Sequence, residues 1–166
     1  MTSIRQSSRR RDIGLAVFAV LAVAAASIAG QIATFPNLAP WYAGLAKPPF
    51  NPPNWLFGPM WTALYALMAF AGWRILRLPS GTPGRAAALV AFFVQLALNA
   101  AWSWMFFAAH SPALGLINIV PQLVVILIAV GQFWRLDRLA AACLVPLAAW
   151  VAFATMLNAS IWWLNR

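Results

Sequence analysis

The chain has 166 residues, 64% of them hydrophobic and 8% charged, with 11 lysines and arginines against two acids and a formal charge of +9. A water-soluble domain carries about 25% charged residues, so this chain lacks the polar surface to stay in water. Its basic residues stand as short punctuation between long apolar runs. That is the arrangement of membrane-flanking anchors, and it argues against a nucleic-acid interface, which would need them gathered on one folded face.

Five apolar stretches each approach the ~20 residues that cross a bilayer as a helix. The first, about Ile13–Thr34, follows Arg9-Arg10-Arg11. Such a start resembles a signal peptide, with small residues at Ala24–Ala29 for cleavage, but the apolar run continues to Phe35. That is longer than the ~7–15-residue core of a signal, so a retained helix is expected. Ala22, Ala26 and Gly30, with Ala25, Ala29 and Ala33 beside them, form a small-residue face suited to close helix approach, within the chain or between subunits.

A loop from Pro36 to Pro53 follows, containing Trp41-Tyr-Ala-Gly-Leu-Ala-Lys-Pro-Pro-Phe-Asn-Pro-Pro-Asn-Trp55. Its prolines deny it a continuous helix and hold it partly extended. A structured lid over the mouth of a bundle is expected, built from Trp41, Lys47, Pro48, Pro53 and Trp55, with Lys47 available to an anionic group. The second span, Trp55–Leu76, aligns Trp61, Tyr65 and Met68 on one face. After Arg77-Leu-Pro-Ser-Gly-Thr-Pro-Gly-Arg85 comes the third, Ala86–Ala108, with Gln95, Asn99, Trp102 and Phe106 at helical spacing. His110-Ser-Pro112 leads to the fourth, Ala113–Trp134, with Asn118, Gln122 and a helix-interior Pro121. Arg135-Leu-Asp-Arg138 leads to the fifth, Leu139–Leu164, with Pro146 and a face of Trp150, Ala154 and Asn158. The two internal prolines each remove a backbone donor and are expected to kink their spans. Residues 1–12 read as a basic tail and 13–166 as one all-α, five-helix transmembrane domain. No strand-like alternation supports a barrel.

Arg5, Arg9, Arg10, Arg11, Arg74, Arg77, Arg85, Arg135 and Arg138 fall on one side of that topology, and Lys47 and Arg166 on the other. The positive-inside rule places the N-terminus in the cytoplasm and the C-terminus outside. The bias fits a plasma or inner membrane.

Neither acid, Asp12 or Asp137, lies inside a span, which disfavours ion-driven transport. No metal-ligand spacing, phosphate-cradling glycine loop or nucleophile–base arrangement is present. His110 sits alone in a turn, where a histidine is more often solvated than an axial haem ligand. Cys143, the only cysteine, reads as a small buried hydrophobe. The spans are rich instead in tryptophan and amide. Unpaired amides facing lipid cost several kcal/mol, roughly, so those faces should point inward. They serve either as interhelical hydrogen bonds or as walls of a cavity for a large flat apolar ligand.

Trp41-Tyr42-x-x-Leu45-x-Lys47-Pro48, Pro52-Pro53-x-Trp55 and Gly58-Pro59-x-Trp61-x-x-Leu64-Tyr65 together resemble the signature of the TspO/translocator protein family, the tryptophan-rich sensory proteins or peripheral-type benzodiazepine receptors. Gln95-Leu-x-x-Asn99-x-x-Trp102 and Pro146-x-x-x-Trp150-x-x-Phe153-Ala154-Thr155-x-Leu157-Asn158 are similar to two further family blocks. The resemblance runs from about residue 13 to the end and leaves out the arginine-rich start. It implies a five-helix bundle, commonly a homodimer, that binds porphyrins such as protoporphyrin IX and synthetic isoquinoline or benzodiazepine ligands. Tyr42, Pro52, Trp61, Tyr65, Asn99, Trp102, Trp150 and Ala154 match the family's pocket-lining positions. Trp61 and Trp150 match tryptophans associated with light-dependent porphyrin breakdown. No cofactor is required under this reading, and haem or protoporphyrin is a ligand. The sequence departs from the sterol-recognition stretch of animal members at Ala159 and Trp163, has Phe50 where the loop usually has tryptophan, and has Asn118 where a membrane acid is often found. The expected function is a membrane receptor or sensor for tetrapyrroles. The alternatives are a porphyrin-degrading enzyme, a passive transporter and a scaffold for a partner.

Overall fold

The computed structural model describes the backbone of residues 2–166 and the side chains from Arg9 onward. Five long helices are present: α1 (Thr2–Leu38), α2 (Asn54–Leu76), α3 (Arg85–Ser103, continued by a π-helical stretch Trp104–Ala108), α4 (Pro112–Leu136) and α5 (Arg138–Leu164). Each is long and apolar enough to cross a membrane, so the chain is an all-helical, five-span membrane protein.

Local chemistry explains most of the boundaries. Ser111 caps α4, its hydroxyl accepting from the Leu114 amide at 3.2 Å, with Pro112 at the first helical position. Asp137 caps α5, accepting from the Leu139 and Ala140 amides at 3.0 Å each. Gly84, at φ 81°, makes the left-handed turn into α3. The Arg85 guanidinium donates back to the Ile75 and Leu76 carbonyls, closing the end of α2.

Two differences from the sequence reading concern α1. Its helix already includes the basic stretch before Ile13, and it continues to Leu38 with Pro36 inside its last turn. Pro36 forfeits only one donor there. The Asn37 amide donates to the Ala33 carbonyl at 2.8 Å and the Thr34 hydroxyl to the Gly30 carbonyl at 2.9 Å. Likewise α4 and α5 run on through Pro121 and Pro146.

Following the contacts, the helices form a ring in the order α1, α2, α5, α4, α3 and back to α1, with α2 and α3 also touching across it. Three of the four connections are short, which sets the helices they join antiparallel. The centre is fully buried and large-chained: Met68, Phe92, Phe133, Leu144 and Leu147 are all 0% exposed. The outer face is equally apolar, with Phe18, Leu21, Val90, Ile117 and Leu127 exposed. Lipid covers such a face, so helix association rests on packing and polar contacts rather than on hydrophobic exclusion. The small-residue face of α1 is used within the chain: Gly30 lies so close to α3 that an added Cβ would sit 3.1 Å from the Ser103 hydroxyl.

Charge sorts to one end. Arg74 pairs with Asp137 at 2.6 Å and Arg77 with Asp12 at 3.6 Å, tying α2 to the α4–α5 turn and to α1. Burial raises the Asp137 carboxyl. The Arg74 hydrogen bond and charge and the Ala140 and Leu139 amides outweigh that, holding it below the usual carboxylate range. The opposite end is held by hydrogen bonds, His110 Nε2 to Asn37 Oδ1 at 2.7 Å and Asn165 to Ala46. The Arg5 side chain lies outside the described residues.

Candidate functional site

The five interior amides, Gln95, Asn99, Asn118, Gln122 and Asn158, are each 6% exposed or less. All the amide faces expected to point inward do so. α2 brings Tyr65 level with Asn99 of α3, and the phenol donates to Asn99 Oδ1 at 2.9 Å. Trp61, one turn along α2, stacks on the Tyr65 ring at 5.3 Å and 29°. One turn deeper, Gln95 donates to Met68 Sδ at 3.6 Å. Its own carbonyl oxygen and that of Asn118 are buried with no hydrogen-bond partner among the described residues.

A second cluster lies nearer the loop between α1 and α2. Trp102 donates its indole N–H to Asn158 Oδ1 at 3.1 Å, and Asn158 donates to the Pro112 carbonyl at 2.8 Å, joining α3, α5 and α4 through one side chain. Trp102 stacks on Phe106 at 4.9 Å and 20°. Trp150 meets Phe57 edge-on at 5.8 Å and Phe153 at 5.7 Å, and Phe153 in turn meets Phe50 of the loop. Trp61, Tyr65, Trp102, Trp150 and Ala154 all pack against one core cluster and stay only half-buried. The helices therefore bring Trp61, Tyr65, Trp102, Trp150 and Ala154 against one core, with Asn99 bonded to Tyr65.

The loop residues divide. Tyr42 is buried against Phe106 and Phe107, and its hydroxyl, pushed up in pKa by burial, donates to Asn51 at 3.3 Å. Trp41 stacks on His110 at 4.9 Å and 17° and meets Phe106 edge-on. His110 thus braces the loop through its ring and through Asn37. Lys47 lies over the Tyr42 ring at 4.6 Å and donates to the Ala43 and Leu45 carbonyls, so its ammonium is engaged with the loop itself. Pro48 is buried and Pro52 half-buried. Pro53 is the exposed residue preceding α2, and Trp55, in the first turn, is 72% exposed. Those two lie at the rim and not under the loop, as a helix-starting proline and an interfacial tryptophan do.

Several contributors went unpredicted. Asn165 accepts from the Ala46 amide at 3.0 Å and donates to its carbonyl at 2.9 Å, clamping the loop to the end of α5. Nothing local marks a contact across such a sequence distance. Replacing Asn165 by alanine is expected to cost about 1–2 kcal/mol and to speed proteolysis between Leu38 and Asn54 while the helices stay intact. Unchanged cleavage would mean the aromatic contacts hold the loop without it. The π-helical stretch, closed by Ala109 N to Trp104 O and Ser111 N to Phe106 O, turns Phe106 and Phe107 inward together. An open groove of about 610 Å³ also runs between α1 and α2, and of the expected ligand residues only Tyr65 lines it.

The fold and interior define a class: an integral membrane helix bundle whose polar groups are gathered with tryptophans inside it. The family model described as "TspO/MBR family" matches residues 18–164, and the chain belongs to that family. It is similar to the "Tryptophan-rich protein TspO" of Archaeoglobus fulgidus, 36% identical over 152 residues, covering 90% of this chain and 95% of that protein. The "Translocator protein" of Homo sapiens is 34% identical over 123 residues, with 74% and 73% covered. The "Tryptophan-rich sensory protein" of Cereibacter sphaeroides is 36% identical over 118 residues, with 71% and 72% covered.

Proposed function

We propose that this TspO/MBR-family protein is a membrane sensor or receptor that binds a tetrapyrrole such as protoporphyrin IX between its helices, beneath the outer loop. The observation that carries the reading is the Tyr65–Asn99 hydrogen bond under the Trp61 stack, set in one wall with Trp102, Trp150 and Ala154. A flat apolar macrocycle finds stacking surfaces there on Trp61, Trp102 and Trp150. The sensory name of a relative supports the same class of function. In this reading the arginine-rich end faces the cytoplasm of a bacterial inner membrane, and the protein acts as a homodimer.

The test is a protoporphyrin IX titration of the protein in detergent, in the dark, followed by tryptophan quenching. Saturable quenching is expected, weakened about five- to tenfold by Asn99→Ala, which removes one hydrogen-bonding amide. Trp61→Phe and Trp150→Phe are expected to keep binding, since an aromatic face remains. Linear quenching in every variant would remove the tetrapyrrole reading. Illumination in oxygen then separates a receptor from a porphyrin-degrading enzyme. Loss of bound porphyrin that stops in either Trp→Phe variant would favour the enzyme, with indole passing an electron to the excited macrocycle.

A further inference from the structure

The groove between α1 and α2 meets that site at Tyr65 alone and is otherwise chemically different. Its walls are mainly alanine, valine and phenylalanine, with Thr62, Ser27 and Tyr65 at one end. Two of those hydroxyls are already committed: Thr62 donates to the Gly58 carbonyl at 2.9 Å and Tyr65 to Asn99. The deep end therefore behaves as an apolar slot. From Ala16 to Ser27 the helix rises ~17 Å, about half the ~30 Å hydrocarbon thickness of a bilayer. The slot thus spans one leaflet, starting at the arginine-rich end.

Its shallow end has the opposite character. Trp73 lines the groove, and its indole N–H is buried without a partner among the described residues. The Arg77 guanidinium lies over that ring at 4.8 Å. Arg9 is exposed and lies seven residues before Ala16, on the same face of α1. Asp12 offsets one of these charges, at 3.6 Å from Arg77, with both side chains partly exposed. A slot one leaflet long, ending at a cationic fringe, has the polarity of an anionic phospholipid. A parallel second copy seated here would instead bring like guanidiniums together.

We propose that the α1–α2 groove binds an anionic phospholipid of the leaflet at the arginine end, with one acyl chain between the helices and its phosphate on Arg77 and Arg9. The test is native mass spectrometry of the full chain in detergent with equimolar dioleoylphosphatidylglycerol and dioleoylphosphatidylcholine. One phosphatidylglycerol is expected to be retained in preference to phosphatidylcholine, and Arg77→Gln is expected to cut that preference roughly fivefold. Ala66→Phe, at an exposed groove position, is expected to remove the retained lipid of either kind, and Val20→Trp on the facing wall to do the same, each with unchanged helical circular dichroism. Equal retention of the two lipids, or retention untouched by both groove-filling variants, would overturn the proposal. So would conversion of a dimer to a monomer with unchanged lipid count, which would make the groove a subunit interface. Porphyrin quenching runs in parallel, so failure at one site is distinguishable from failure at the other.

Discussion

Gly115→Ala is expected to destabilise the bundle by about 2–4 kcal/mol and to weaken porphyrin quenching with it. Gly115 lies buried in the first turn of α4, where an added Cβ would stand 2.6 Å from Asn158 Oδ1 and 2.8 Å from the Phe106 ring. Neither neighbour has room to move. Asn158 is held by Trp102 on one side and the Pro112 carbonyl on the other, and Phe106 is 2% exposed between Trp102 and Phe107. Overpacking of this kind costs about 1–3 kcal/mol, and a strained interhelical hydrogen bond adds about 0.6–2 kcal/mol. Gly131 provides the control on the same helix. It faces open space, so Gly131→Ala is expected to match or exceed wild type, gaining up to about 1 kcal/mol of helix propensity. Thermal unfolding in detergent reads both. Equal melting of the two variants would show that α4 can shift to accommodate the methyl group.

Removing the carboxylate of Asp137 should have a comparable effect at the other end. Asp137 caps α5 and pairs with Arg74 of α2, with 13% of its side chain exposed. Alanine loses both roles, about 0.5–2 kcal/mol for the cap and about 1.5–3 kcal/mol for the charged hydrogen bond. The expected total is about 2–4 kcal/mol. An asparagine in its place would retain good capping chemistry and lose only the charge, so Asp137→Asn should fall about midway. The pH dependence follows from the lowered carboxyl pKa. A group whose folded pKa lies below its unfolded value contributes fully above the unfolded value, about 3.9 for aspartate. That contribution fades as pH falls through the folded value. Wild type should therefore lose stability relative to Asp137→Asn on acidification below about pH 4, and the two melting curves should converge. A constant gap between them would show that the ionised carboxylate does not carry the difference.

Much of this architecture is legible in the sequence. Runs of ~20 apolar residues can satisfy their backbone only as helices in lipid, and four of the five spans fall within about two residues of their expected limits. The interior wall was legible for a related reason: an amide is too costly against lipid, so Gln95, Asn99, Asn118, Gln122 and Asn158 report which faces turn inward. The end of α1 differs from expectation because Pro36 is a strong stop signal on average and a mild one in a last turn, where a single donor is lost. The loop was harder still. Trp41, Tyr42 and Lys47 are recognisable as unusual, yet the loop's partners His110, Phe106 and Asn165 lie far along the chain, and spacing carries no information about such pairings. Gly115 drew no notice either, since a helix-interior glycine looks like a weak point until Asn158 and Phe106 are seen against it.

The π-helical stretch at Trp104–Ala108 has a bearing on how relatives of this protein should be aligned. A turn closed five residues back, in place of four, holds one residue more than the regular helix on either side. A homologue with plain α-helix here would be one residue shorter and yet present the same faces before and after. Alignments forced to run without a gap between Trp102 and Pro112 would then misassign every position on one side by a single step, rotating the inferred pocket residues by about 100° around the helix axis.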